Sequence, residues 1–381
     1  MRVVDVGTSV SGSYCARLLA DFGADVVKVE DLSDGGDPIR SDGPPITNRD
    51  GAAGDSALFV YLNQNKRSVA VDLQSEQGRE IWRRLLFGAD VVVDSGETGS
   101  LSRQDVSFEQ IERANPRSVV VRISPFGQGG PYSGRPACHL TVSALGGLVT
   151  SLGDPTREPL DVGFPLLEYV SAVVGAVGAV ASWRACRDSG RGRLVDVSQQ
   201  EVAVRMHMYP TVMATLGLST KRRTYFPMYI MAQNGWVAVN TLSAQHWKDA
   251  CVFMGLDEVA DDQTMSDPAV RNAAAPALQK RMDAWAADQQ REDIFEVGQL
   301  LRIPVGIPYT LLEVVEQEHY NERGLFRPLE TTGGTVKQPA GPFGSSPIRD
   351  DWRDAPGVGE HTTEVVEEWL RDGDRTRVEE G

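Results

Sequence analysis

The sequence of 381 residues contains few cysteines and no excess of basic residues. Its four cysteines have no CxxC spacing, which predicts reduced thiols rather than a disulfide framework or a zinc site; they are Cys15, Cys138, Cys186 and Cys251. The five histidines also lack paired spacing, so no metal site is expected. The formal net charge of −15 argues against nucleic acid as a main partner, because phosphate binding requires a basic surface.

Long apolar runs are also scarce. The longest, at 169–181, is rich in glycine and alanine and too short to span a bilayer, so a membrane is not expected as a partner. Residues 1–6 open directly into a strand pattern and show no signal-peptide pattern. Together with the reduced cysteines, these features predict a cytoplasmic protein. Hydrophobic residues make up 41% of the chain and charged residues 24%, as in ordinary globular proteins.

The N-terminal half alternates short apolar strands with helices. Strands are predicted at 2–6, 25–30, 68–73, 89–94 and 118–124, with helices at 14–22 and 75–86 between them. This alternation is typical of an α/β fold with a βαβ sheet, whose binding sites lie at the carboxyl ends of the strands. A long loop at 31–55, rich in glycine, aspartate and proline, is expected to be functional or mobile.

Beyond Gly192 the pattern changes. A helix is predicted at 195–213, a connection at 218–227 and a smaller α+β unit at 229–307 that contains a strand at 235–240. The tail is predicted to be irregular until a helix at 362–371. The chain is therefore divided into a large domain at 1–215, a linker at 216–228, a small α+β domain at 229–310 and a C-terminal segment at 311–381.

Glu168 stands directly ahead of the apolar tract 169–181, which predicts a buried helix. Partial burial raises the pKa of a carboxylate, whereas a helix N-terminus favours its ionised form. A lone glutamate at this position would ordinarily only complement the helix dipole. The sequence strings around it give it a second interpretation.

Seven strings, in this order along the chain, resemble the class III CoA-transferase family, which also includes the α-methylacyl-CoA racemases. The strings are LADFGADVVKVE at 19–30, GDPIR at 36–40, NKRS at 65–68 with DL at 72–73, ISPFGQGGPY at 123–132, GRGRLVDVS at 190–198, IPVGIP at 303–308 and GEHT at 359–362. No single string is decisive, but together they span almost the whole chain.

The resemblance implies a Rossmann-like large domain, built from the N-terminal half and the C-terminal tail, with the small domain between them. It also implies that two chains thread through each other as linked rings. The implied substrates are an acyl-CoA and a small or hydrophobic carboxylic acid, and no tightly bound cofactor is expected. In such transferases a carboxylate attacks the donor thioester, and an anhydride and an enzyme–CoA thioester follow. Backbone N–H groups stabilise each oxyanion.

The catalytic aspartate of the family falls on Glu168. The resemblance also implies contacts with CoA from residues spread over the large domain: Val10, Gly12, Arg40, Lys66, Arg67, Val71, Ser95, Gly96, Arg103, Gly127, Gln128, Cys138 and His139. Some positions depart from the family pattern. Ser95 and Gly96 stand where the family often has Asn-Phe, and Asp31 and Gln74 replace basic residues of some members.

Three functions follow from this pattern. The first is a CoA-transferase with Glu168 as nucleophile. The second is a non-catalytic subunit paired with a related catalytic chain, since some family members are heteromers with one aspartate-bearing chain. The third is an acyl-CoA racemase or epimerase, which needs a second acid/base; the family histidine for that role falls on Cys138, with His139 one position later. Asn234 and Gly235 predict a hairpin turn where transferases carry a glycine-rich loop.

Overall fold

The computed structural model describes residues 1–47, 53–96, 101, 104, 106–218, 222, 226–227, 229–241, 243–331, 334–340 and 352–371. The chain forms two compact units. The larger comprises Met1–Leu152, Pro159–Thr220 and Gly324–Gly381, and the smaller comprises Gly153–Glu158 and Lys221–Arg323. The smaller unit thus extends beyond residue 310, where the sequence analysis places the end of the small domain.

A six-stranded parallel sheet is the centre of the larger unit. Its strands are β1 Arg2–Asp5, β2 Asp25–Asp31, β5 Lys66–Val71, β6 Val91–Ser95, β7 Val119–Ser124 and β8 Leu194–Ser198; β3 Pro45–Thr47 and β4 Ala53–Ser56 form a separate hairpin. The strand order is β5-β2-β1-β6-β7-β8. The direction of strand addition therefore reverses between β1 and β6, and ligands of such sheets bind outside the carboxyl ends of the strands at this point.

Helices cover both faces of this sheet. They are α1 Val10–Asp21, α2 Ala57–Leu62, α3 Glu76–Phe87, α4 Phe108–Ala114, α5 His139–Leu145, α6 Leu166–Ser189, α7 Gln199–Met206 and α8 Met208–Thr215. On one face, Leu19 of α1 and Ala172 of α6 pack on Ile123 in an apolar cluster. On the other face, Trp82 and Leu85 of α3 pack on β2 and β5. The valine-rich strands are buried because both faces are covered.

Helix α6 extends the apolar tract to 24 residues and is long and apolar enough, by length and composition alone, to cross a membrane, so the expectation that this tract is too short to span a bilayer does not hold for the whole helix. One side of α6 packs on α1 and on the sheet, and 33% of its apolar window is buried. Its other side exposes Val173, Val174, Val177 and Val180.

The smaller unit is built on an antiparallel sheet of three strands in the order β11-β10-β9, with β9 Tyr229–Ala232, β10 Gly235–Val239 and β11 Val305–Gly306. Its helices are α9 Ala244–Phe253, α10 Asp257–Asp261, α11 Pro268–Ala286, α12 Arg291–Leu300, α13 Leu311–Glu316 and α14 Glu318–Glu322. Val237, Trp247 and Met282 are buried at its centre. The chain then re-enters the larger unit through the hairpin β12 Phe326–Thr331 and β13 Gly334–Pro339, and α15 Thr362–Arg371 is the last described element.

The predicted α/β class with a parallel sheet is confirmed, and so is the hairpin at Asn234–Gly235, which joins β9 to β10. The predicted helix at 195–213 is wrong in its first turn. Val195 and Val197 belong to β8, which pairs with β7, and a helix begins only at Gln199. The tail is not irregular, because α13, α14 and the β12–β13 hairpin precede the last helix.

Gly192 lies where the chain enters β8 and is packed tightly against a neighbouring loop. A Cβ atom added to Gly192 would lie 1.8 Å from the carbonyl oxygen of Ser118. We therefore expect Gly192→Ala to destabilise the protein by about 3 kcal/mol, measured by thermal or denaturant unfolding. The control is Gly129→Ala, since a Cβ atom at Gly129 meets nothing within 4 Å. Equal stability of the two variants would contradict this packing.

Candidate active site

Glu168 lies in the first turn of α6, and its side chain reaches the start of α1. The backbone N–H of Ser11 donates to Oε2 of Glu168 at 3.3 Å. Ser11 is the second residue of α1, so the carboxylate lies against the N-terminal end of a helix of 12 residues. The free N–H groups and the positive dipole end of a helix favour a negative charge at this position.

Glu168 is nevertheless half-buried. Burial raises the pKa of the Glu168 carboxyl above its ordinary value of 4.5, although the amide of Ser11, the nearby His139 and the amide of Val10 partly oppose this effect. The raised pKa means that part of the carboxylate's hydration is lost without full compensation. A partly desolvated carboxylate is a more reactive nucleophile than one in bulk water.

The electrostatic interaction with His139 lowers the pKa of the Glu168 carboxyl. Nε2 of His139 lies 3.4 Å from Oδ1 of Asp161 and 3.5 Å from Oγ of Ser143. Its Nδ1 is buried and has no hydrogen-bond partner among the described residues. The preceding residue, Cys138, is exposed, and its hydrogen bonds with Thr141 lower the pKa of its thiol. The structure thus brings His139, rather than Cys138, into the surroundings of Glu168.

A chain of three serine hydroxyl groups connects the start of α1 to the end of β6. Oγ of Ser9 lies 2.9 Å from Oγ of Ser11 and donates to Oγ of Ser95 at 2.8 Å. Gly12 packs on this chain so closely that an added Cβ atom would lie 2.2 Å from Oγ of Ser95. Of the residues implied by the family resemblance, the structure therefore brings Gly12, Ser95 and the adjacent Val10 together beside Glu168.

Three basic residues that the family resemblance assigns to contacts with CoA are already engaged in ion pairs. Lys66 is completely buried and donates to Oδ2 of Asp5 at 2.8 Å, to Oδ1 of Asn63 at 2.7 Å and to the Ser13 carbonyl at 2.8 Å. Arg67 pairs with Asp25, Glu364 and Glu368, and Arg40 pairs with Glu30 and Asp55. A phosphate could bind to any of them only by displacing or joining these carboxylates.

A cavity of about 610 Å³ opens at the carboxyl ends of β1 and β2. Its wall includes Gly7, Lys28, Asp31, Asp37, Arg40 and Trp82. The loop that lines it leads at Ser9 into α1, the helix that contacts Glu168. Of these wall residues, only Arg40 was predicted to bind CoA. The sequence signal for Asp31 and Asp37 was the long loop at 31–55, whereas Gly7, Lys28 and Trp82 lie outside that loop.

The remaining predicted contacts are dispersed. Gln128 donates its backbone N–H to Asp196 at 3.0 Å and its side-chain amide to Ser124 at 3.1 Å, which fixes the loop containing Gly127 on the ends of β7 and β8. Val71 is buried at the end of β5, and Gly96 follows β6 with a φ of 108°. Arg103 lies outside the described residues. No group of three metal-ligating side chains is found in the part of the chain that the structure describes.

Comparison of the sequence with models of known protein families identifies the family of this chain. A model of CoA-transferase family III matches residues 1–362. The chain belongs to CoA-transferase family III. The predicted family is therefore confirmed, and membership places the chain among transferases that use CoA thioesters as substrates.

Relatives of this transferase match over nearly their whole length. The present chain is 28% identical over 385 residues to the succinyl-CoA–D-citramalate CoA-transferase of Chloroflexus aurantiacus, and the match covers 97% of this chain and 93% of that protein. It is 30% identical over 395 residues to the succinyl-CoA:(R)-benzylsuccinate CoA-transferase subunit BbsE of Thauera aromatica, covering 96% and 93%. Its fold is similar to that of a CAIB/BAIF family protein from Brucella suis, with a TM-score of 0.85, 24% identity and 97% and 98% coverage.

The raised pKa of Glu168 predicts that this carboxylate reduces the stability of the transferase. The folded state favours the protonated form of Glu168. The contribution of this group to the free energy of unfolding is therefore most favourable below the ordinary pKa of 4.5, and it falls as the pH rises through the folded-state pKa. We therefore expect Glu168→Gln to raise Tm by about 2 °C at neutral pH, measured by thermal unfolding. The difference should vanish near pH 4.

The control for this experiment is Glu201→Gln. Glu201 also lies in the first turn of a helix, α7, but it is exposed. We expect E201Q to leave Tm unchanged or slightly lower, because it removes only a favourable interaction with the helix dipole. A lower Tm for E168Q than for the wild type at neutral pH would contradict the desolvation of Glu168.

Proposed function

We propose that this chain is a working CoA-transferase in which Glu168 is the covalent nucleophile. It moves CoA from an acyl-CoA donor to a carboxylic acid. The observation that supports this most is the contact of the Glu168 carboxylate with the N–H of Ser11 at the start of α1. A carboxylate held at this point is partly desolvated, is oriented by a backbone amide, and occupies the position of the family's aspartate.

The reaction proceeds through two kinds of covalent intermediate. An oxygen of Glu168 attacks the carbonyl carbon of the donor thioester, the C–S bond breaks, and the CoA thiolate leaves behind a mixed anhydride. The thiolate then attacks the Glu168 carbonyl carbon and expels the donor acid as a carboxylate. The acceptor carboxylate attacks the resulting enzyme thioester, the C–S bond breaks, and the thiolate leaves behind a second mixed anhydride. The thiolate then attacks the acceptor's carbonyl carbon, forms the product acyl-CoA and releases Glu168 as a carboxylate.

Each addition creates an oxyanion on a carbonyl oxygen, and in two of the four additions this oxygen belongs to Glu168. The N–H groups at the start of α1 and its dipole are oriented to stabilise negative charge there without reorganisation. The backbone N–H of Ser11 already contacts Glu168 Oε2.

The substrates are proposed from the relatives. Those of Chloroflexus aurantiacus and Thauera aromatica named above transfer CoA from succinyl-CoA, so succinyl-CoA is the proposed donor. The proposed acceptor is a small or hydrophobic carboxylic acid. The proposed location of the reaction is the cytoplasm.

The proposed assembly is a dimer, formed either with a second copy or with a related transferase chain. The Thauera relative is itself a subunit of its enzyme. In the present chain, α6 exposes Val177 to 65% and α8 exposes Tyr209 to 75%. Exposed apolar side chains of this kind are typical of a subunit interface. A Rossmann-like large domain interlocked with its partner is the proposed arrangement.

Two other functions remain as competing proposals. As a non-catalytic subunit the chain would bind CoA or support a related catalytic chain. The replacement of the family's aspartate by Glu168 favours this second proposal. As a racemase it would exchange the α-proton of an acyl-CoA, which the presence of His139 near Glu168 favours, since two acid/base groups are needed.

The deciding experiment is intact-mass analysis of the purified assembly after incubation with succinyl-CoA, with and without hydroxylamine. A hydroxylamine-sensitive adduct that maps to Glu168 is expected, because anhydrides and thioesters react with this nucleophile. Glu168→Gln should abolish the adduct, whereas Glu168→Asp should retain it. An adduct only on a co-purifying related chain would contradict catalysis by this chain. Absence of any adduct, with α-proton exchange from deuterated water, would support the racemase.

A further inference from the structure

Helix α1 begins differently from the other described helices that have a serine at the N-cap. An N-cap serine normally turns its hydroxyl oxygen onto the helix, where it accepts a hydrogen bond from the N–H of the second or third helical residue. Five N-cap serines of this chain do so: Ser56, Ser75, Ser107, Ser198 and Ser243. Ser9, the N-cap residue of α1, also has an extended backbone, but its side chain makes no such bond.

The hydroxyl group of Ser9 is held by Ser95 instead. Oγ of Ser9 donates to Oγ of Ser95 at 2.8 Å and lies 2.9 Å from Oγ of Ser11. Ser95 is completely buried as the last residue of β6. Gly7 and Gly12 leave the space for its hydroxyl group, because a Cβ atom added to them would lie 2.7 Å and 2.2 Å, respectively, from Oγ of Ser95. The side chain of Ser9 is therefore fixed away from the helix.

The N–H groups that a cap would use are left to the active site. They belong to Ser11 and Gly12, the second and third residues of α1. The N–H of Ser11 donates to Oε2 of Glu168 at 3.3 Å. The N–H of Gly12 makes no hydrogen bond with the part of the chain that the structure describes, although Gly12 is buried. An unpaired buried donor costs stability, and such donors are useful where negative charge develops only during a reaction.

We propose that Ser95 is a positioning residue: by holding the hydroxyl group of Ser9, it keeps the N-terminal end of α1 uncapped for Glu168. The uncapped N–H groups stabilise the ionised carboxylate and the oxyanions formed from it. The inference rests on the proposed role of Glu168 as nucleophile and adds a residue that acts on it through α1. Without the Ser95 hydroxyl group, Ser9 turns to the helix and caps it, as the five other serines cap theirs.

The test is the rate of formation of the Glu168 adduct from succinyl-CoA, measured against pH in single turnovers by intact-mass analysis. Ser95→Ala is expected to slow adduct formation about ten-fold at saturating succinyl-CoA, because the cap then occupies a donor to the oxyanion. The acidic limb of the pH profile should move to higher pH, because a capped helix end stabilises the Glu168 carboxylate less. The half-saturating concentration of succinyl-CoA should change less than about two-fold.

The matched control removes the competing hydroxyl group itself. In a Ser9→Ala background no side chain at the N-cap can accept from α1, so adding Ser95→Ala should slow the reaction by less than about two-fold. Equal slowing by S95A with and without Ser9 would overturn the inference, because Ser95 would then act independently of the cap. A loss confined to the half-saturating concentration would also overturn it, since Ser95 would then serve contact with CoA.

A second variant imposes the cap while Ser95 stays in place. Asparagine is among the strongest N-cap residues, and Ser9 is only half-buried, so Ser9→Asn should fold even if S95A does not. It is expected to slow adduct formation by about ten-fold and to move the acidic limb in the same direction as S95A. A wild-type rate and pH profile in S9N would overturn the inference.

A stability measurement separates this inference from the transferase proposal, because it needs no substrate. Capping of α1 leaves the Glu168 carboxylate less compensated, so Glu168→Gln should raise Tm more in the Ser95→Ala background than in the wild type. An equal rise in both backgrounds would overturn the inference whether or not an adduct forms. A larger rise in the S95A background without any adduct would support the uncapped helix end and refute only the role of Glu168 as nucleophile.

Discussion

The candidate site depends on a buried ion network at the ends of the first two strands. Asp5, the last residue of β1, accepts the N–H of Gly7 at 2.9 Å and the ammonium of Lys66 at 2.8 Å. Lys28 of β2 donates to the Gly7 carbonyl at 3.0 Å. Burial lowers the pKa of Lys66 to about 8, although Asp5 opposes this effect. Removing one partner from such a network typically costs about 3–5 kcal/mol, because it leaves a buried charge uncompensated.

This network fixes the loop from which both halves of the site are built. On one side, the loop delivers the N-terminal turn of α1 to Glu168, where the N–H of Ser11 meets the carboxylate. On the other side, the same loop and the paired Lys28 form the wall of the cavity. Lys28 and Lys66 are paired within this network and are therefore not available to a ligand. The same ion pairs hold the loop in place and leave the cavity acidic.

The sheet was predictable from the sequence where its strands are continuous apolar runs. The valines of β1, β6 and β7 are buried on both faces of the sheet, and such strands have a strong sequence signal. The strand β8 was mistaken for the first turn of a helix. Ser198 ends the strand and caps α7 directly, so no loop residues separate the two patterns.

The contacts of the site were less predictable because they join distant parts of the chain. The family resemblance identified Glu168, but its partner Ser11 is 157 residues away, and no local pattern connects them. The pairing of Arg67 with Glu368 spans 301 residues and is set only by the return of the C-terminal helix. A lysine within an apolar strand, such as Lys28, gave no signal that Asp37 would neutralise it.

The central claim is that Glu168 exchanges an oxygen atom with the acceptor acid in each turnover. When the acceptor carboxylate attacks the enzyme thioester, one of its oxygens becomes the bridging atom of the anhydride, and this oxygen remains on Glu168 when the thiolate takes the acyl group. Incubation with succinyl-CoA and succinate labelled with heavy oxygen should therefore raise the mass of the Glu168 peptide. The mass of the other carboxylate-containing peptides should not change. An unlabelled Glu168 peptide, in a sample that exchanges CoA between the succinyl pools, would contradict the claim.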